Sequence, residues 1–220
     1  MEKIIRVTGE GLVNVKPDTI EVGLLLEALN KNYGKSLKEV DDKVFVLREE
    51  MKKLGIEEVK TQSFSIRPRI NTYYKNNNKR EEVFEGYATS HDIVIRFPFD
   101  TKKLGEVVGA ISKNILEPRL SINFLAKDTE VAKKNALKDA VTKAKVDAEV
   151  LAEAAGVKLD EILSINHSFG EVRVSRPRKA EFMSKEATYC EEASIGSSLG
   201  GVNVDDIKIT ANVTIEWKID

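Results

Sequence analysis

The fold is decided by an alanine-rich run at residues 129–155, TEVAKKNALKDAVTKAKVDAEVLAEAA. Alanine recurs in it at every fourth position, at Ala132, Ala136, Ala140, Ala144, Ala148 and Ala152. At about 100° per residue, these alanines share one face of a helix with Leu137, Val141, Leu151 and Ala155. Charged side chains occupy the other face, in pairs such as Asp139 with Lys143 at i,i+4 spacing. Because alanine is small, we expect this helix to lie very close to its packing partner.

The ends of the predicted helix are marked by residues that favour helix termini. Asp128 or Thr129 can cap the start, and Gly156 tolerates the left-handed conformation that ends many helices. Nothing in the run carries reactive chemistry, so the sequence predicts a scaffold element at this position.

The composition bounds the class of protein. A chain of 220 residues can bury a sizeable core without disulfides, and its single cysteine, Cys190, cannot form an intramolecular one. Lysine plus arginine (35) nearly balances aspartate plus glutamate (36), so no overall field attracts nucleic acid or anionic membrane. No apolar run reaches the roughly 20 residues that span a bilayer, and residues 1–10 read as a strand rather than a signal peptide. We expect a soluble, cytoplasmic protein with no nucleic-acid partner and no membrane span.

Hydrophobic periodicity places the remaining elements around the alanine helix. Apolar residues at every second position predict strands. Apolar residues spaced three and four positions apart predict helices at 37–54 and 104–111. The predicted strands lie at 4–7, 19–29, 59–70, 83–97, 120–124, 163–169 and 207–219. Residues 171–204 show neither period, and a segment of that length is usually functional or mobile.

The element order is β-β-α-β-β-α-β-α-β-loop-β, which lacks the strict alternation of a doubly wound parallel sheet. It predicts an α+β fold with mainly antiparallel sheets and helices packed on one side. We expect a single domain over residues 1–220. An alternative is two α/β halves, residues 1–98 and 99–220.

Few side chains suggest catalysis or binding of a cofactor or metal. Gly9-x-Gly11 is an incomplete dinucleotide fingerprint and predicts a turn at a strand end. His91 and His167 have no cysteine or histidine partner at zinc-like spacing, so we predict no metal and no cofactor. His167 shares a strand face with Ile165 and Phe169, which favours a hydrogen-bonded, partly buried histidine.

Two groups of residues suggest contacts with another subunit. Tyr73 and Tyr74 lie near the tip of a predicted hairpin at 71–80, and exposed aromatic residues are enriched in interfaces. Arg173, Arg176 and Arg178 form a basic cluster in the long loop, close to glutamates, which favours docking on a neighbouring subunit.

Four local patterns are shared with one family. They are Ile5-x-Val7-x-Gly9-x-Gly11 with Pro17-Asp18, Gly55-Ile56 with Thr61 and Ile66-x-Pro68, Gly86-Tyr87-x-x-Ser90, and the alanine helix through Leu151-Ala152 to Gly156. Together they resemble the SIMPL domain family, found in bacterial oxidative-stress defence proteins and in a periplasmic immunogenic protein. The resemblance implies an α+β fold, homo-oligomerisation, no established catalytic residue and, for many members, export to the cell envelope.

These observations favour a non-enzymatic homo-oligomer, linked by the resemblance to stress defence, that self-associates through the hairpin tip and the long loop. One alternative is a small-molecule or stress-signal binding module with a pocket between sheet and helices. Another is a hydrolase built on His167 with Asp205 or Glu171.

Overall fold

The computed structural model of the chain describes residues 3–74, 80–115, 119–169 and 204–220. Its elements confirm the predicted α+β class and order. They are β1 (Ile4–Val15), β2 (Thr19–Asn30), α1 (Tyr33–Lys53), β3 (Val59–Tyr74), β4 (Arg80–Pro98), α2 (Thr101–Asn114), β5 (Arg119–Leu125), α3 (Glu130–Ala155), β6 (Leu159–Phe169) and β7 (Ile207–Ile219). The segment predicted as a mobile loop, 171–204, lies outside the described residues except for its last position.

The chain divides into two compact units. Unit 1 contains β1, α3, β6 and β7, and unit 2 contains β2, α1, β3, β4, α2 and β5. This division differs from the alternative halves 1–98 and 99–220, because β1 pairs along its whole length with β7 at the other end of the chain. Periodicity shows that a strand exists but does not identify its partner, so the sequence could not place β1 in the C-terminal unit.

Unit 1 is a three-stranded antiparallel sheet in the order β1-β7-β6, with α3 packed on one face. The predicted alternation of β7 is confirmed. The residues of β7 that face α3 are buried, namely Ile207, Ile209, Ala211, Val213, Ile215 and Trp217. Their neighbours in sequence, such as Thr214 and Glu216, lie on the other face and are more exposed.

The close approach predicted for the alanine helix is present, since all six alanines of the four-residue repeat are buried. The opposing surface is the backbone of β1 at Gly9 and Gly11. A Cβ atom on Gly9 would lie 2.2 Å from the carbonyl oxygen of Ala140, and one on Gly11 would lie 1.8 Å from that of Ala136. The predicted strand-end turn is therefore wrong. The strand β1 runs through both glycines, which allow helix and strand backbones to touch.

The buried face of α3 is narrower than the predicted arc. Val141 and Leu151 are 38% and 50% exposed, and Ala155 is exposed as well. Residues at every fourth position form a row that is inclined to the helix axis. Because α3 packs along this row, apolar residues beside it, such as Val141 and Leu151, are left uncovered. On one flank, Asp139 accepts hydrogen bonds from Lys143 Nζ (2.8 Å) and from the amide of Leu12 in β1 (3.1 Å).

The ends of α3 lie where the sequence placed them. Thr129 is the N-cap residue but makes no side-chain cap bond, and the Asp128 carboxylate instead accepts from the amide of Glu130 at 3.0 Å. At the other end, Gly156 adopts a left-handed φ of 70°.

Unit 2 is a four-stranded sheet in the order β3-β4-β2-β5. The strands β2 and β4 form its centre, and α1 packs on both of them and against α2. Its fully buried large side chains are Ile20, Leu24, Leu26, Leu47, Met51, Ile93, Ile95, Leu104 and Ile111. The core of unit 2 thus lies between the sheet and its helices.

Candidate interaction surface

The β3–β4 hairpin extends beyond the sheet of unit 2. The strand β2 pairs with β4 only as far as Asn30↔Tyr87, whereas β3 continues to pair with β4 out to Tyr74↔Arg80. We call residues 69–74 and 80–86 the hairpin arm. Among the described residues, the strands of the arm pair only with each other.

One face of the hairpin arm carries a cluster of exposed apolar side chains. Ile70 pairs with Phe84, whose ring contacts Tyr87 edge-on at 5.3 Å, and Tyr87 in turn contacts Tyr33 at 5.5 Å. Tyr33, Ile70 and Phe84 are 52%, 55% and 43% exposed. We call these four residues the aromatic patch. Contiguous exposed apolar surface of this kind is typical of a contact site.

The aromatic patch is held in place by buried polar contacts and one glycine. Ser36 near the start of α1 is buried, with its Oγ 2.8 Å from the carbonyl oxygen of Tyr87 and 2.6 Å from Thr89 Oγ1. Gly86 has a φ of 147°, and a Cβ there would lie 2.7 Å from the carbonyl oxygen of Asn30. These contacts fix the start of α1 against β4, so Tyr33 and Tyr87 are held in place relative to each other.

The opposite face of the arm holds Tyr73, one of the predicted contact residues. Its hydroxyl lies 3.3 Å from Glu85 Oε1, and Glu85 also binds Asn71 at 3.0 Å and Arg69 at 2.9 Å. Tyr73 is half exposed, so its ring is available to a partner while this network orients it. Its role as a contact stays a prediction.

The structure gives less information on the other predicted contact residues. Tyr74 pairs with Arg80 at the last described position of the arm. Arg173, Arg176 and Arg178 lie outside the described residues.

Sequence reasoning missed the aromatic patch because its members come from three separate elements. Tyr87 stood out in the pattern Gly86-Tyr87, but nothing in the spacing of the sequence links it to Tyr33 or Ile70. The link requires the register of β3 on β4 and the position of α1.

His91 is the half-buried histidine of unit 2. Its ring packs edge-on against Phe64 at 5.3 Å, and Nε2 lies 2.9 Å from Thr61 Oγ1. Nδ1 is buried and has no hydrogen-bond partner among the described residues. Burial, reinforced by the positive charge of Arg48, lowers the pKa of His91 below its ordinary value of about 6.5. Asp41 and Asp92 oppose this shift.

The stability of the fold is therefore expected to depend on the charge state of His91. Because the pKa of His91 is lower in the folded state, the unfolded chain binds more protons at this residue as pH falls. The contribution of His91 to stability is therefore fully present above about pH 6.5 and is lost as pH falls through the folded pKa. His91→Gln should flatten the fall in urea midpoint between about pH 7.5 and about pH 5.5. An unaltered slope in His91→Gln would contradict this assignment.

His167 is exposed, which corrects the prediction of a partly buried residue. It lies opposite Val213 in the β6–β7 ladder, and its ring contacts Phe169 edge-on at 5.8 Å. A hydrolytic site needs a nucleophile and a base within hydrogen-bond reach. Asp205 is exposed and Glu171 lies outside the described residues, so this geometry gives the hydrolase hypothesis no support.

A groove of about 600 Å³ lies in unit 1 between the C-terminal half of α3 and strands β6 and β7. Ala152, Ile162 and Trp217 provide its apolar lining, and Lys145 and Glu149 are among its polar residues. The groove is open, and it combines apolar and polar lining residues as the pocket of a binding module does.

Within residues 3–74, 80–115, 119–169 and 204–220, no group of three or more His, Cys, Asp or Glu side chains is arranged to hold a metal ion. No helix of that part of the chain is long and apolar enough to cross a membrane.

The fold and surface define an α+β protein of two antiparallel sheets and three helices with exposed apolar side chains on the hairpin arm and on β6. The family model of SIMPL, described as a protein of unknown function (DUF541), matches residues 5–217. The chain belongs to the SIMPL family, as its motifs indicated.

The chain is similar to two curated proteins, the 26 kDa periplasmic immunogenic proteins of Brucella melitensis biotype 1 and Brucella abortus (strain S19). Each is 26% identical over 167 residues, which cover 74% of this chain and 65% of the relative. The chain thus spans less than two thirds of the length of these relatives. Both are named as periplasmic, and the prediction of a cytoplasmic location finds no support in them.

Two solved structures show weak likenesses to the chain. An unknown protein from Galdieria sulphuraria is 6% identical, with 92% of this chain and 84% of that chain covered and a TM-score of 0.25. A hydrolase from Listeria innocua is 11% identical, with 96% and 92% covered and a TM-score of 0.22. Neither likeness supports a statement about function.

Proposed function

We propose that the protein is a non-enzymatic subunit of a homo-oligomeric assembly, with the hairpin arm as a contact surface. The observation that carries this proposal is the aromatic patch, in which exposed apolar side chains of the hairpin arm contact Tyr87 and, through it, Tyr33. The names of the relatives support a location in the periplasm. The link to stress defence rests on the family resemblance alone.

The energetics of the patch favour association. Burying an exposed half of a side chain such as Ile70 or Phe84 contributes on the order of 1 kcal/mol. Since Ser36 and Gly86 already fix Tyr87 against the start of α1, little conformational entropy is lost at this part of the patch when it binds.

Phe84→Lys is expected to reduce the size of the assembly. The lysine would place a charge in a contact from which water is excluded, and burying an unpaired charge is strongly unfavourable. We expect at least a tenfold weaker association, measured by sedimentation velocity at micromolar concentration.

The matched control is Phe45→Lys. Phe45 is 68% exposed on α1, twelve residues from Tyr33 and thus about 18 Å along the helix. This variant should keep the wild-type sedimentation coefficient. Equal sizes for wild type and Phe84→Lys would remove the hairpin arm from the contact.

A second candidate function is a small-molecule or stress-signal binding module, and the groove beside α3 is the observation that favours it. Trp217, the only tryptophan of the chain, lines this groove. Its fluorescence would therefore report a ligand that enters. A saturable change on addition of a small molecule would favour this function over a purely structural role.

A further inference from the structure

The strand β6 lies at one edge of the sheet of unit 1. This strand pairs with β7 on one side, and within the described part of the chain no strand pairs with its other side. Such an edge presents a row of backbone N–H and C=O groups that another strand can bind.

Asp160, Glu161 and two register shifts lie at the start of β6, but the rest of its edge lacks the features that usually prevent such pairing. Its residues 162–169, ILSINHSF, contain no charged residue and no proline. The other edge strands do contain such features, with Arg6 and Glu10 in β1, Lys60, Arg67, Pro68 and Arg69 in β3, and Arg119 in the short β5. The register shifts of β6 are confined to residues 159–164, so the stretch that follows is regular. Charges, prolines and bulges are the usual protection of an edge strand.

One face of β6 is also left uncovered by the helix. The register places Ile165 opposite Ile215 and Phe169 opposite Ala211, on the face of the sheet where α3 packs. However, α3 covers β1 and β7 and touches β6 only marginally. Ile162, Ile165 and Phe169 are consequently 52%, 56% and 46% exposed.

The position of β6 is fixed by contacts on the opposite face. Ser164 Oγ donates a hydrogen bond to Glu216 of β7 at 2.8 Å, and Glu216 also binds Arg6 of β1. The free edge is therefore preformed.

We propose that two copies of the chain pair through β6, antiparallel about a two-fold axis, to form a continuous sheet in the order β1-β7-β6-β6-β7-β1. This inference rests on the proposed function as a homo-oligomer and assigns it an interface on unit 1, separate from the hairpin arm. A second copy fits because a strand paired with itself places equivalent residues near one another, and the neutral stretch of β6 brings no like charges together.

The side chains add apolar surface to the backbone pairing. At their exposed fractions, Ile162, Ile165 and Phe169 each leave on the order of 100 Å² uncovered. Two copies thus offer on the order of 600 Å², about half of the roughly 1,200 Å² at which specific interfaces begin. The paired backbones and polar side chains supply further contact.

A subunit with two separate contact surfaces builds an assembly larger than a dimer. Loss of either surface should then leave a smaller species held by the other one. Ile165→Lys in the full chain should at least halve the mass of the assembly in light scattering, because it places two lysines near the two-fold axis. Ile165→Lys combined with Phe84→Lys should give the monomer.

The matched control is Leu12→Lys, which makes the same kind of change at an exposed apolar residue of the other edge strand. Its mass should equal that of the wild type. If Ile165→Lys also keeps the wild-type mass, pairing through β6 is overturned while the homo-oligomer stands. If Phe84→Lys alone is monomeric, pairing through β6 is likewise overturned. A monomeric wild type overturns both proposals.

Disulfide cross-linking tests the pairing without relying on a disruptive variant. Single cysteines at positions 164–168, in a Cys190→Ser background, are oxidised with diamide. Antiparallel pairing about a two-fold axis predicts that the cross-linked dimer forms at the position nearest the axis and at its neighbours. The yield of cross-linked dimer should decrease sharply at positions further from the axis. No cross-link at any of the five positions overturns the proposal.

Discussion

Gly11→Val is expected to lower the free energy of unfolding by more than about 3 kcal/mol, a large part of the roughly 5–15 kcal/mol of a typical domain. A Cβ atom at this position would lie 1.8 Å from the carbonyl oxygen of Ala136 and 2.6 Å from the amide nitrogen of Ala140. Both are backbone atoms of α3, so the helix must move away from β1. Urea denaturation followed by the fluorescence of Trp217, which lies in the same unit, measures the effect.

Gly109→Ala is the matched control for the glycine substitution. Gly109 lies inside α2, and nothing is within 4 Å of a Cβ placed there. This variant should gain about 1 kcal/mol because alanine favours a helix over glycine. A Gly11→Val variant with the wild-type urea midpoint would show that α3 does not contact β1 at this position.

Ala140→Leu should destabilise unit 1 by about 1–3 kcal/mol. Ala140 is completely buried between the sheet and the axis of α3, close to Gly9 and Gly11, and the added side chain has no space to occupy. Ala144→Leu should behave alike, since Ala144 is equally buried and lies against Gly9. Thermal and urea unfolding of both variants measure the loss.

The control for these variants is Ala154→Leu at the exposed end of α3, which should change stability by less than about 0.5 kcal/mol. Similar unfolding midpoints for the buried and the exposed substitutions would mean that the alanine face is not the packing surface.

Much of the fold could be predicted because its signals are local. The alanine repeat of α3 and the alternation of β7 each express the periodicity of one element. The structure buries the six repeated alanines and the alternate residues of β7 from Ile207 to Trp217, but it leaves Val141, Leu151 and Ala155 exposed. The role of Gly9 and Gly11 could not be predicted in this way. It depends on which helix lies over β1, and therefore on the pairing of β1 with β7.

The candidate surfaces show the same limit. The sequence indicated the hairpin and Tyr73, but the aromatic patch needs the register that brings Ile70 to Phe84 and the contact between Tyr33 and Tyr87. For β6, the shared face of Ile165, His167 and Phe169 was predicted and agrees with the register. The exposure of this face was not predicted, because it arises from the position of α3 over β1 and β7 rather than over β6.

We propose that this SIMPL protein is a scaffold that associates with itself. Sedimentation velocity of the wild-type chain at micromolar concentration tests it most directly. We expect a species several times heavier than the 24.6 kDa of one chain. A single boundary at the monomer mass, unchanged on raising the concentration tenfold, would contradict it.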